Sequence, residues 1–286
     1  MRTGGSELQE VPIREGSPHE PVPHPDDSWR RNGRYLYCVA EGGERRELGP
    51  IGVEGNPVYT IPHRHLCAVV HDCPAAPYRS EDEGVVHGWL RAHEAVVEAA
   101  WGIFGTVLPS GFDTIVRAAK DRGPTENVEW LLKERHDVLL EKISKVRGKA
   151  EYGVQISWDA RQMAARVVGE APAIRELDEE MRSKSPGTAY LYKQKLDKAI
   201  RAEMEARADV RFKDFYNRIK AWVADLRVER AKPPEGDRQM LMNLSCLVRK
   251  EDVAGLGGVL EKIQGMDGFS VRFTGPWPPY SFVAPG

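Results

Sequence analysis

The stretch Phe269-Ser270-Val271-Arg272-Phe273-Thr274-Gly275-Pro276-Trp277-Pro278-Pro279-Tyr280-Ser281-Phe282 joins a strand-like run to prolines interleaved with large aromatics. Each proline holds φ near the polyproline II value and removes a backbone donor, so the segment after Phe273 is expected neither to extend a helix nor to sit inside a sheet. An aromatic side chain has roughly 150–250 Å² to bury, so Trp277, Tyr280 and Phe282 should lie against something. Two readings stay open. The tail docks on the chain's own body, with Trp277 clamping two halves together, or it presents Trp and Tyr to a partner, since these residues dominate interface hot spots.

Working outward, Phe269 to Phe273 reads as a closing strand, Glu251 to Gln264 as a helix and Met240 to Val248 as another strand. Pro233-Pro234-Glu235-Gly236-Asp237 separates these from the longest periodic segment, a helix expected from Thr188 to about Lys232. Leu191, Leu196, Ile200, Met204, Phe212, Phe215, Ile219, Val223 and Leu226 supply its apolar side, with Tyr190 near its head. Its charges of both signs allow i,i+4 pairs worth only about 0.2–0.5 kcal/mol each, so packing must hold it. The helix is either a solvated cover over a packed domain or a surface offered to another protein's helix or strand. Upstream, Tyr152, Val154, Ile156 and Trp158 alternate as on a half-buried strand.

The first half is read from Arg34-Tyr35-Leu36-Tyr37-Cys38-Val39-Ala40, a compact apolar strand, followed by strands at Val58–Ile61 and Leu66–Val70. Ser80-Glu81-Asp82-Glu83 starts a helix that reaches about Ala100, and Ile103 to Pro109 reads as a short strand. A second helix starts at Thr125 and Glu126, carries a stripe from Val128 to Ile143 that includes Val138, and ends at Gly148. The fold class is therefore α+β: two small sheet-plus-helix domains, with the sheet of the first covered on one face and the second ferredoxin-like in arrangement. The expected division is a disordered polar tail over 1–32, domains over 33–148 and 149–274, and the Pro/aromatic tail over 275–286. The first of these is Pro-, Glu- and Asp-rich with few apolar residues.

The whole chain has 286 residues, 41% of them hydrophobic and 29% charged, with a formal net charge of −2. That balance argues against an electrostatic nucleic-acid binder. No apolar run approaches the about 18 residues a membrane span needs. With no apolar leader and four cysteines, the expectation is a cytoplasmic protein with reduced thiols.

No chemistry-bearing motif stands out. There is no Gly-x-Ser-x-Gly elbow and no phosphate-cradling Gly-x4-Gly-Lys-Ser/Thr loop, and Gly255-Leu256-Gly257-Gly258 lacks the lysine. His63, His65, Cys67, His71 and Cys73 form the one metal-like cluster. Alternate residues of an extended strand sit about 6.5–7 Å apart, too wide for a tetrahedral ion without a bend. The plainer reading puts Leu66, Ala68 and Val70 on the core and the odd positions toward solvent or the neighbouring domain. His93 beside Glu94 could serve acid–base chemistry, or be a satisfied core histidine. No cofactor, metal or catalytic residue is expected; a metal-binding enzyme built on His63–Cys73 is the rival class.

The string Gly275-Pro276-Trp277-Pro278-Pro279-Tyr280-Ser281-Phe282 resembles the C-terminal signature of the gas vesicle protein F and L family (GvpF/GvpL). Arg34-Tyr35-Leu36-Tyr37, Arg91-Ala92-His93-Glu94-Ala95-Val96-Val97 leading into Val107-Leu108-Pro109, Tyr152 to Trp158, and Gly187-Thr188-Ala189-Tyr190-Leu191 agree as well. The likeness runs from about Arg34 to Phe282. It departs at Leu108-Pro109-Ser110-Gly111-Phe112-Asp113-Thr114, where Asp113 stands in place of a glycine. The resemblance implies an accessory protein of gas vesicle formation, not an enzyme. It also implies binding to the small hydrophobic shell protein, gas vesicle protein A, and to other accessory components, or else retention in the finished shell as a minor component. The partner-binding or clamping residues expected are Trp277, Tyr280, Phe282, Tyr190, Phe212 and Phe215.

Overall fold

A computed structural model describes residues 32–233 and 236–283, so the tail expected over 1–32 lies, Asn32 apart, outside the described residues. The first half runs β1 (Gly33–Glu41), β2 (Glu47–Gly49), β3 (Val58–His63), β4 (Leu66–Cys73), α1 (Glu83–Phe104), β5 (Val107–Pro109), β6 (Ile115–Arg117), α2 (Pro124–Glu134) and α3 (His136–Val146). The second runs β7 (Lys149–Asp159), α4 (Ala160–Glu170), α5 (Pro172–Arg182), α6 (Pro186–Lys220), β8 (Asp225–Val228), β9 (Arg238–Arg249), α7 (Val253–Gln264), β10 (Phe269–Trp277) and the single turn α8 (Tyr280–Val283). The α+β class read from the sequence is what the chain adopts.

The first sheet has the order β2-β3-β4-β1-β5, with β6 also paired to β1. It is covered on both faces. Tyr35, Tyr37, Cys67, Val69 and Cys73 meet Val96, Val97 and Ala100 of α1. Leu36, Val39, Leu66, Ala68 and Val70 meet Val128 and Leu132 of α2 and Ile143 of α3. This corrects the expectation of one covered face, and of odd positions in β4 turned to solvent. The unbroken apolar runs of β1 and β4 are the pattern of strands buried on both sides.

Asp82, within the expected start region, caps α1 by accepting hydrogen bonds from Gly84 N and Val85 N. The helix continues past Ala100 to Phe104, where Gly105 in the left-handed region ends it, so only Val107–Pro109 of the expected Ile103–Pro109 strand is extended. The second expected helix is two. The chain leaves helical geometry at Arg135, and the new axis of α3 turns Val138 outward, 56% exposed.

The second sheet is antiparallel with order β10-β7-β9-β8. Strand, helices, two strands, helix and strand in that order is the ferredoxin-like β-α-β-β-α-β pattern, with α4, α5 and α6 in place of the first helix. One face, with Val154, Ile156, Met242, Leu244 and Cys246, packs under Phe215 and Ile219 of α6 and Leu256, Leu260 and Ile263 of α7. The long helix stops at Lys220 rather than near Lys232. Leu226 and Val228 belong to an edge strand paired with Cys246 and Leu244, a two-residue period hidden at the end of a helical one.

The closing strand overturns the expectation that its proline segment cannot sit in a sheet. β10 pairs with β7 through Thr274↔Gly153, bulges at Gly275-Pro276, and pairs again at Trp277↔Glu151. A bulge on an edge strand tolerates the missing proline donor. Gly275 has φ 116, and a Cβ there would lie 2.8 Å from Glu151 O, so the bulge requires glycine. Helical geometry then follows in α8, also against expectation.

Phe215 is fully buried, edge-on to Phe269 with ring centroids 5.3 Å apart. Phe215→Ala should lower unfolding free energy by about 3–5 kcal/mol. Chemical denaturation checks this, and a loss below about 1 kcal/mol would mean that α6 is not anchored there.

Candidate functional site

The two sheets meet at a joint made by the chain's last described turn. Pro278 and Pro279 are buried. Tyr280 then packs into the cluster beneath α1, while Phe282 and Val283 join the cluster holding Leu108, Ile143, Val146 and Leu247. Between them Ser281 reaches the second sheet: its N and Oγ donate to the carboxylate of Glu151, at 2.8 and 2.6 Å. Lys142 Nζ of α3 donates to Val283 O at 3.0 Å. α8 therefore touches both halves at once. The pairing of Glu151 with Ser281 spans 130 residues, and no local pattern in the sequence announces it.

Of the six residues expected to clamp or bind, Tyr280 and Phe282 lie in this joint. Trp277 does not insert; it pairs through its backbone and leaves its side chain 45% exposed. The bulge turns the chain before it can reach the gap, and the anchoring falls to α8. Phe215 is core, and Phe212 is partly buried, its ring stacked on that of Tyr216. Tyr190 stands near the start of α6, 63% exposed, next to Leu191 at 58%.

Beside the joint lies a cleft of about 500 Å³ between the halves, lined among others by Trp101, Ala150, Tyr152, Val248 and Pro276, with Lys149 and Lys250 as its charged members. Phe273, 38% exposed on the edge strand β10, stacks on Tyr152. Trp277 follows Pro276, and Ile103, two residues beyond Trp101, is 44% exposed. Cleft and edge form an apolar region at the meeting of the two sheets.

The metal-like cluster does not converge. Among the described residues no group of three or more His, Cys, Asp or Glu side chains could hold an ion. Cys67, His71 and Cys73 are instead buried under α1. His71 belongs to a network of rings. Val53 N donates to the Tyr37 hydroxyl at 2.8 Å, that hydroxyl lies 2.8 Å from His71 Nδ1, and His71 Nε2 lies 3.1 Å from the Tyr78 hydroxyl. In parallel, Asp113 N donates to the Tyr35 hydroxyl at 3.0 Å, which sits 2.9 Å from His93 Nδ1. Asp113 keeps the left-handed geometry, φ 63, and its carboxylate accepts from Tyr78 N. A phenol already accepting a backbone N–H offers its own proton to imidazole, so both histidines are held neutral. Burial drives the His71 pKa down to about 4, with Asp72 opposing, and lowers that of His93 against the Ser110 backbone. His93 is a satisfied core histidine.

Known proteins resemble this chain in sequence and architecture. The family described as "Gas vesicle synthesis protein GvpL/GvpF" matches residues 33–284. Gas vesicle protein L1 of Halobacterium salinarum is 30% identical over 260 residues, covering 88% of this chain and 90% of that one. Gas vesicle protein F of a Streptomyces species is 30% identical over 254 residues, covering 87% of this chain and 98% of that one. The crystal structure of GvpF from Anabaena sp. PCC7120 superposes with a TM-score of 0.71 at 19% identity, over 89% of this chain and 99% of that one, and shows the same fold.

Two outcomes follow from the joint and the network. Tyr280→Ala should cost about 2 kcal/mol or more through lost packing, and Trp277→Ala no more than about 1 kcal/mol. Thermal melts of the two variants side by side check the order, and the reverse order would return the clamp to Trp277. His71 is neutral when folded and titrates near its ordinary value when unfolded. Between pH 6.5 and 4 the unfolded chain therefore binds more protons, and stability falls as pH falls through that window. The loss is on the order of 3 kcal/mol when complete. It should appear as a decline in melting temperature that is shallower in His71→Gln; parallel declines would remove His71 as the cause.

Proposed function

The chain belongs to the gas vesicle synthesis protein GvpL/GvpF family, and from that membership we propose that it is a non-enzymatic accessory factor that binds the hydrophobic shell protein, gas vesicle protein A. Its task is to keep shell subunits assembly-competent, in the company of other accessory components at the growing vesicle in the cytoplasm. An apolar shell subunit exposes surface and strand edges that pair indiscriminately, and a partner that covers them prevents aggregation.

The observation that carries this reading is the apolar cleft between the sheets with Phe273 and Trp277 beside it. It combines an aromatic wall with the exposed edge of β10. That edge is blocked at its start, where Val271 N donates to Gln264 Oε1 at 2.6 Å, and is interrupted at Pro276. A partner strand would thus be limited to a short register, which suits transient capture more than permanent addition. Tyr190 and Leu191 give α6 a second, remote contact of the same character. The joint of α8 fixes the angle at which cleft and helix are presented.

Co-expression with gas vesicle protein A should recover the shell protein in a complex with the wild-type chain. Phe273→Asp with Trp277→Asp should reduce recovery at least tenfold, and Tyr190→Asp with Leu191→Asp less. A wild-type chain that recovers no shell protein would sink the chaperone reading. Recovery that survives the first pair and is lost with the second would move the surface to α6.

A further inference from the structure

The helices cover one face of the second sheet, and the other face is open. Cross-strand register places its side chains in rows: Arg227, Ser245, Gly153 and Thr274; then Asn243, Gln155 and Arg272; then Met240, Ser157 and Ser270; then Arg238 and Asp159. α8 closes the first row, where Ser281 Oγ, its proton given to Glu151, lies 3.2 Å from Ser245 Oγ, and the Arg227 guanidinium lies 5.6 Å from the Phe282 ring. The remaining rows form a concavity of about 360 Å³. Its floor is Gln155, Ser157 and Ser270, and its cations are Lys232, Arg238 and Arg272. No described residue lining it is acidic, in a chain whose net charge is −2.

We infer that this open face is a binding site for a carboxylate-rich peptide segment of a partner protein, on residues separate from the proposed shell-protein surface. The three cations are exposed, and among the described residues none has a carboxylate partner. Among the described residues, Asp159 and Asp237 are engaged and Glu229 lies on the opposite edge of the sheet from Arg272. Asp159, cross-strand from Arg238, accepts from Gln162 N as the cap of α4, and Asp237 pairs with Arg161. Glu229 sits at the far β8 edge, where its N donates to Asn243 O.

Geometry selects the ligand class. Arg272 and Arg238 stand on strands separated by β7, so their backbones are about 10 Å apart across the sheet and further along it. One phosphate cannot span that, and no described residue lining the concavity is a glycine or opens a helix, so the backbone donors of a phosphate cradle are not offered there. Carboxylates two residues apart on an extended peptide are about 6.6 Å apart, and longer intervals match the wider spacing. The floor offers hydroxyl and amide donors to a peptide backbone. No aromatic ring lines the concavity, so nothing there stacks a nucleobase.

The test is fluorescence anisotropy of the full-length protein with a labelled hexaglutamate peptide at low salt. The expected result is binding that Arg238→Glu with Arg272→Glu weakens at least tenfold, while Lys213→Glu on α6 leaves it within twofold. Arg272→Gln, which removes charge without reversing it, should weaken binding about threefold with an unchanged melting temperature. No binding of the peptide, or equal loss in the Lys213 control, overturns the site. Displacement by millimolar inorganic phosphate, or tighter binding of a single-stranded RNA hexamer, overturns the peptide as its ligand.

Discussion

A buried carboxylate holds the two halves of this chain together. Glu151, 9% exposed at the start of β7, takes both its donors from Ser281. Burying a carboxylate away from water is costly unless hydrogen bonds replace its hydration, and a backbone N–H plus a hydroxyl do so here. The same pair forces Tyr280 toward the first sheet and Val283 toward the cluster shared by both halves. The cleft and the aromatic edge lie beside this joint. Gly275 and the diproline route the chain to that carboxylate.

Much of the architecture is legible in the residues. The alternation from Tyr152 to Trp158, the turn at Gly148, the cap near Asp82 and the apolar stripe toward Phe215 each act within one element, where local periodicity reports burial directly. What escaped reading is what depends on distant residues. The strand at Leu226–Val228 exists because β9 lies beside it, and the preceding helical period masks it. The proline segment enters the sheet because β10 is an edge, which no local feature states. The site divides in the same way. Tyr280 and Phe282 were legible as aromatics that must bury. Trp277 looked the same and is half-exposed, because the bulge two residues earlier decides which way each ring points. Glu151 carried no signal, since a carboxylate on a strand is ordinarily a solvated one.

The tyrosine and histidine rings under α1 show how a polar residue belongs in a core. Tyr35 and His71 stack with centroids 5.0 Å apart and 13° between planes, and each ring's polar atom ends on a backbone amide or another ring. Satisfied buried networks specify one packing, because a shifted arrangement leaves a donor without an acceptor. Asp113 is part of this. An aspartate carries a Cβ penalty in left-handed geometry that glycine avoids, yet its carboxylate receives Tyr78 N, and its own amide fixes Tyr35. At Asp113 a hydrogen bond takes the place of the conformational freedom a glycine would give.

α6 contains 35 residues and is about 52 Å long, yet its buried residues are Leu196, Phe215 and Ile219. Phe215 and Ile219 belong to the main core, whereas Leu196 shares a small cluster with Val167 and Ile174 on α4 and α5. The far end of the helix thus rests on a few side chains, linked to the main core through Met204. Few buried contacts there mean a lower opening free energy than at the Phe215 end. Amide protons along its first turns would exchange by fraying while those near Phe215 wait for whole-domain unfolding. One continuous helix therefore spans a gradient of local stability, and a ligand engaging its distal end would act first on an opening equilibrium rather than on a fixed shape.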